Sequence, residues 1–139
     1  MCLEVIAVPA KRSLVSPERL SALSGLCVRK ASDGVPAAFH LALEPGCSCS
    51  LLGEAADWER PTWDFSPAGR NGLAKAVSAI AELADGLEFS ATWIGEQPLT
   101  RERTRLSELL EDIRENKVRN RHVYVVGRAQ ARVDAVPEA

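Results

Sequence analysis

The sequence predicts an α+β domain, one mixed β-sheet with helices packed largely on one face. Three observations carry that expectation. Short apolar, β-branched runs recur, several with strict two-residue alternation. Two Ser-Pro steps and a threonine stand ahead of stretches whose apolar residues fall at spacings of three and four. The 139 residues are 46% apolar and 26% charged with a net charge of −2, enough for one domain with its own core and unlike a disordered or fibrous chain.

The elements follow in order. Residues 2–8 are short, apolar and β-branched, and Pro9 stops them, so they read as a buried strand. Ser16-Pro17 opens a helix: the serine oxygen takes a free amide proton, and proline lacks one where none is needed. Leu20 and Leu23 are expected to face inward on it, and Gly25 to end it. Residues 26–31 and 36–43 read as two strands joined around Asp33-Gly34, a hairpin signal. The second of these alternates, with Phe39, Leu41 and Leu43 on one face and His40, Ala42 and Glu44 on the other.

Ser66-Pro67 repeats the helix-start chemistry, and Leu73, Val77, Ile80 and Leu83 mark an amphipathic helix closed by Gly86. Residues 87–94 alternate again, Phe89, Ala91 and Trp93 against Glu88, Ser90 and Thr92. Thr100 is expected to cap a third helix with an inward stripe of Leu106, Leu109, Leu110 and Ile113. Its outer face would carry Arg101, Arg103, Glu108, Glu111, Arg114 and Glu115. Residues 122–127 form a last strand. Residues 128–139 have neither period nor bulk and are expected to be a mobile tail, leaving 1–127 as the globular domain.

The order is β-α-β-β-α-β-α-β. Its first six elements match the ferredoxin-like, or split β-α-β, arrangement, extended by one helix and one strand. That arrangement serves many functions, so function has to come from particular residues.

Glu4 and the lack of a basic leading segment argue against a secretory signal, and the first apolar run is far short of the roughly 20 residues that cross a bilayer. A cytoplasmic protein with no membrane partner is expected. Its four cysteines, Cys2, Cys27, Cys47 and Cys49, then read as reduced thiols. The slight acidity disfavours nucleic acid as a partner, because neutralising many phosphates needs a basic excess.

One segment breaks the pattern. Between Glu44 and Ser66 no long helix or full strand is legible, yet the stretch holds Cys47, Cys49, Leu51, Leu52, Trp58, Trp63 and Phe65. A loop this long is uncommon in a small domain, and disordered chains lack such residues. A short helix is expected from Ser50 toward Trp58, which would set Cys49 at its start and favour a thiolate there. Cys47-Ser48-Cys49 has three chemical readings. Two thiolates two residues apart can grip Zn²⁺ or Cu⁺, with His40, Cys2, Cys27 or His122 completing the ligand set. They can act as a redox pair, though the spacing differs from Cys-x-x-Cys. Cys49 can act as a nucleophile if His40 or His122 serves as its base. The bland reading is two buried, inert thiols at the loop base.

Trp58 and Trp63, with Arg60 between them, carry the residue types that anchor interfaces. The competing reading folds both rings back as lids over the sheet. Asp57, Glu59 and Asp64 are too scattered for an acid–base pair. Gly69-Arg70-Asn71-Gly72 has the Gly-x-x-Gly spacing of a nucleic-acid clamp, but Ser66-Pro67 just before it favours a frayed helix start. His40 and Glu44 share a strand face yet lie about 13 Å apart, too far to couple. The basic residues from Arg101 to Arg121 are interleaved with Glu and Asp and read as a solvated, ion-paired face.

No phosphate loop, dinucleotide fingerprint, His-Glu-x-x-His or Gly-x-Ser-x-Gly occurs. The expectation is therefore a non-catalytic binding or regulatory module. It would contact a protein or small ligand through Trp58, Arg60 and Trp63 and need no cofactor. The alternative is a thiol site at Cys47 and Cys49, holding Zn or Cu(I) with His40 or doing redox or nucleophilic chemistry.

Overall fold

The computed structural model describes residues 2–11, 15–32, 37–54 and 60–127. Its centre is a six-stranded mixed sheet in the order β2-β3-β1-β4-β6-β5. The strands are β1 (Leu3–Pro9), β2 (Cys27–Ser32), β3 (Ala38–Ala42), β4 (Gly86–Trp93), β5 (Thr100–Arg103) and β6 (His122–Gly127). All neighbours are antiparallel except β5 and β6, which are parallel. Three helices, α1 (Pro17–Ser24), α2 (Pro67–Leu83) and α3 (Leu106–Arg114), bury their apolar stripes with the inner face of the sheet in one core.

Local chemistry sets the helix starts. Ser16 Oγ accepts from the Arg19 amide at 3.1 Å and Ser66 Oγ from the Gly69 amide at 3.0 Å. Gly25 closes α1 at φ 78, where a side chain would be strained. In β1, Leu3, Val5 and Ala7 are fully buried, while Glu4, Ile6 and Val8 are half-buried on the other face. In β4, Phe89, Ala91 and Trp93 are buried against Glu88, Ser90 and Thr92, as the alternation predicts.

Several expectations are corrected. Thr100 does not cap a helix. Residues Thr100–Arg103 form β5, fully exposed and parallel to β6, and α3 starts at Leu106 with Arg105 as its cap. Arg101 and Arg103 thus lie on a strand, where Arg101 holds Glu88 across the sheet. The sheet therefore has two more strands than a four-stranded split β-α-β, not one. Leu23 is 49% exposed rather than inward. Gly86 begins β4 instead of closing α2, which ends with Ala84 as its cap; glycine is needed at Gly86 because a Cβ there would stand 2.3 Å from the Val126 carbonyl oxygen.

Gly69 and Gly72 are not a frayed start either. Both are buried within α2, where a Cβ would come within 2.6 Å of the Leu51 carbonyl oxygen and 2.3 Å of Leu26 Cδ2 respectively. They let α2 approach its neighbours closely. The Asp33-Gly34 turn and the 128–139 tail lie outside the described residues. Among the described residues, no helix is long and apolar enough to cross a membrane.

Candidate functional site

The site arises where two strands part. β3 keeps register with β1 only from Phe39 to Leu41, opposite Ala7 to Val5. The amides at the start of β1 then need other acceptors, because a buried unpaired N–H is costly. A single 3₁₀ turn, Ser48–Leu51, supplies them with side chains. Ser48 Oγ accepts from the Val5 amide at 2.9 Å and Cys49 Sγ from the Leu3 amide at 3.2 Å. Ser48 Oγ also donates to the Leu41 carbonyl at 2.5 Å, so one fully buried hydroxyl splices β1 to β3. Ser50 Oγ accepts from the Leu43 and Glu44 amides at 2.9 and 3.1 Å. The two serines fix the turn on either side of Cys49.

This docking brings a third thiol into place. Cys2 directly precedes β1, and the Leu3 amide that follows it is the one taken by Cys49 Sγ at 3.2 Å, so Cys2 stands at the turn that carries Cys47 and Cys49. Cys47 is the acceptor of the group. The Cys49 amide, the Cys49 thiol and then the Cys2 thiol donate to its sulfur and hold its pKa below the ordinary thiol value. Burial pushes Cys49 up, and hydrogen bonding to Cys47, followed by the charge there, pushes Cys2 up. These directions favour deprotonation at Cys47 over Cys49, the residue for which the sequence reading expects a thiolate. The turn also starts two residues earlier than expected, with Cys47 as its cap, and residues 55–59 lie outside the described part. Cys2 is exposed and Cys47 partly so, which leaves the site open to a reagent.

His40 is 3% exposed and its Nε2 lies 3.3 Å from Ser48 Oγ, the hydroxyl between the two cysteines. Ser48 gives its only proton to Leu41, so His40 Nε2 carries the hydrogen and Nδ1 is the bare nitrogen. That Nδ1 is buried and has no hydrogen-bond partner among the described residues. Burial, then the nearby Arg29, lowers the His40 pKa and keeps the ring neutral. Cys27 stands on β2 opposite Ala42, with β3 between it and β1. His122 is on β6, two strands from β1, between Thr100 Oγ1 at 2.5 Å from Nδ1 and Arg119 at 3.0 Å from Nε2. An arginine only donates, so this ring is neutral with its hydrogen on Nδ1. Among the described residues no group of three or more His, Cys, Asp or Glu is arranged to hold a metal ion.

No protein-family model, curated protein or solved structure matches this chain. Its chemistry follows from its own geometry.

Trp63 and Phe65, among the described residues of the long segment, pack into the core. Trp63 is 5% exposed, donates Nε1–H to the Ala91 carbonyl at 2.9 Å and meets Trp93 edge-on at 4.9 Å. It is a lid over the sheet and offers no ring to a partner. Trp58 lies outside the described residues, and Arg60 is exposed. The segment's ends are zipped by a Leu52–Phe65 bridge, by the Gly53 amide on the Asp64 carbonyl and by the Ser66 amide on the Leu51 carbonyl. Asn116, unnoticed in the sequence, ties this segment to the end of α3. At φ 56 it accepts from the Phe65 amide at 3.0 Å and donates to Asp64 at 2.8 Å. The available signal was an asparagine between helix and strand, where the left-handed conformation is tolerated.

Proposed function

We propose that the chain is a small thiol-switch module whose reactive group is Cys47 and whose substrates are disulfides. One observation carries the reading: the Leu3 amide next to the exposed Cys2 is anchored on Cys49 Sγ at 3.2 Å, which sets Cys2 beside the turn that Cys47 caps. The Cys47 thiolate attacks one sulfur of a low-molecular-weight disulfide, forming a mixed disulfide and releasing one thiolate. Cys2, deprotonated to the solvent, then attacks the Cys47 sulfur and releases the second thiolate. The protein gains a Cys2–Cys47 bond and gives up two electrons and two protons, and the small disulfide becomes two thiols. Cys2 rather than Cys49 resolves the intermediate, because Cys49 is held between two tied serines and Cys2 is exposed.

The β1-to-β4 half serves in this reading as a ferredoxin-like scaffold, a suggestion supported by its β2-β3-β1-β4 strand order. A switch that rests as thiols belongs in a reducing compartment such as the cytoplasm. Recognition through Trp63 loses its motive, since that ring is in the core.

Alkylation of the native chain at pH 7 with iodoacetamide, mapped by mass spectrometry, tests the proposal. Cys47 is expected to react first, on the order of tenfold faster than an unperturbed thiol. Oxidised glutathione is expected to yield a chain lighter by two hydrogens, with Cys2 joined to Cys47. Slower labelling of Cys47 than of Cys2 would overturn it. So would stoichiometric zinc or copper in chelator-free protein that is lost on Cys47→Ser plus Cys49→Ser substitution.

A further inference from the structure

A second feature stands apart from the thiols, on the helical layer. A groove of about 780 Å³ runs along α2, with Arg19 and Leu23 of α1 and Arg114 of α3 at its sides. Its α2 positions recur at steps of three and four from Pro67 to Leu83, a run of about 24 Å. The middle of the floor is small: Ala74, Ser78 and Ala79.

Charge and apolar exposure both concentrate here. Arg19, Arg70, Lys75 and Arg114 line the groove against the single carboxylate Glu82, in a chain whose net charge is −2. None of these four cations has an ion pair among the described residues, a state shared by the scattered Arg29, Lys30, Arg60 and Arg105, whereas Lys11, Arg101, Lys117, Arg119 and Arg121 each have one. Arg70 gives one N–H to the Phe65 carbonyl, which fixes its guanidinium in place. Among the described residues, Leu23 at 49% and Leu83 at 38% are two of the four large apolar side chains left exposed, and both line this groove.

We infer that this groove docks an acidic amphipathic helix of a partner protein. The floor is itself a helix with its backbone bonds satisfied, so it offers no edge to an extended strand. A helix brings its own backbone already paired and so loses no backbone hydrogen bonds to water on settling there. Small side chains at helical spacing let another helix axis come close, since ridges seat in such grooves. Leu23 and Leu83 call for apolar anchors on the buried face of the incoming helix. The four unpaired cations call for Glu or Asp along its flanks. The length accommodates roughly sixteen residues. Nothing in this inference depends on the thiol chemistry.

The test uses the full chain, ¹⁵N-labelled, titrated with a synthetic sixteen-residue amphipathic peptide that carries leucines on one face and glutamates on its flanks. A control peptide has every glutamate replaced by lysine. The acidic peptide is expected to shift the amides of α2 and its flanking residues saturably, and more weakly as salt is raised. Its affinity should fall about tenfold or more in Lys75→Glu plus Arg114→Glu and, separately, in Leu23→Asp; both variants alter exposed positions and should keep the native amide spectrum. The lysine peptide should not bind. Equal binding of both peptides, shifts mapping to another surface, or no saturable shift would overturn the inference. A dimer of the chain alone that Lys75→Glu abolishes would give the groove to a second copy, and would overturn it as well.

Discussion

Replacing Ser48 by alanine removes one oxygen and strands three groups. The Val5 amide loses its acceptor at 2.9 Å, the Leu41 carbonyl its donor at 2.5 Å and the His40 ring its contact at 3.3 Å. Ser48 is fully buried, so no water stands ready to replace it. A buried polar group left unpaired costs about 1–3 kcal/mol. The carbonyl retains a second lone pair and the ring can shift, so the expected loss is about 3 kcal/mol rather than the full sum. A chain of this size tolerates that loss and stays folded, with the melting temperature lower by roughly 6–12 °C. Urea titration followed by the fluorescence of the buried Trp63 and Trp93 should show a lower midpoint at unchanged slope. Ser50→Ala is the control. Its amide partners Leu43 and Glu44 lie nearer solvent, so it should cost about 1 kcal/mol or less. A Ser48→Ala loss below about 0.5 kcal/mol, or a Ser50→Ala loss as large, would refute the claim that this hydroxyl splices the two strands.

Three further outcomes follow from the same structure. Gly69→Ala should destabilise by about 1–3 kcal/mol in thermal unfolding, although alanine favours helices, because its Cβ would meet the Leu51 carbonyl oxygen at 2.6 Å; a rise in melting temperature would contradict it. His40 and His122 both have pKa values lowered first by burial and then by a neighbouring arginine, so below about pH 6.5 the unfolded chain takes up protons that the native one refuses. Stability should fall by up to about 1.4 kcal/mol per pH unit for each ring between pH 6.5 and 5, and His40→Gln should lessen the slope; flat urea midpoints across that window would oppose the assignment. Oxidation to a Cys2–Cys47 bond should stabilise the chain by about 4 kcal/mol through closure of a long loop, and an oxidised form melting no higher than the reduced one would count against that pairing.

Much of the fold was legible because it rests on local chemistry. Ser16-Pro17 and Ser66-Pro67 satisfy free helix amides within three residues, and the β4 alternation records a sheet with one buried face. β5 was illegible for the complementary reason. Thr100–Arg103 buries no side chain, so no apolar period marks it, and its parallel partner is reached without a hairpin. Leu23 shows how a period can pick the wrong side of a stripe: α1 buries Leu20 and, four residues on, Ser24, and the leucine between them faces out. Cys47-Ser48-Cys49 stood out in the sequence as unusual, while Cys2 was one of four candidates to join it, with nothing local to choose among them. Cys2 joins only because β3 parts from β1 and the 3₁₀ turn fills the gap, an event of tertiary pairing with no local trace. Trp63 and Trp58 looked alike as letters, and burial beside Ala91 and Trp93 decided the role of the first.

The two ends of the sheet bear on how molecules of this chain behave beside one another. An edge strand presents unpaired amides and carbonyls on which a neighbour can add a strand, and such growth leads to aggregates. Here one edge is β5, whose Arg101-Glu102-Arg103 is fully exposed and engaged with Glu88 and Arg119. The other is β2, where Arg29 and Lys30 are exposed and the pairing with β3 slips between Lys30 and Ser32. An incoming strand would have to strip ion pairs at one side and match an irregular register at the other. The charges that hid β5 from a hydrophobic reading are the same ones that make it a poor template, so the sheet ends at six strands instead of growing.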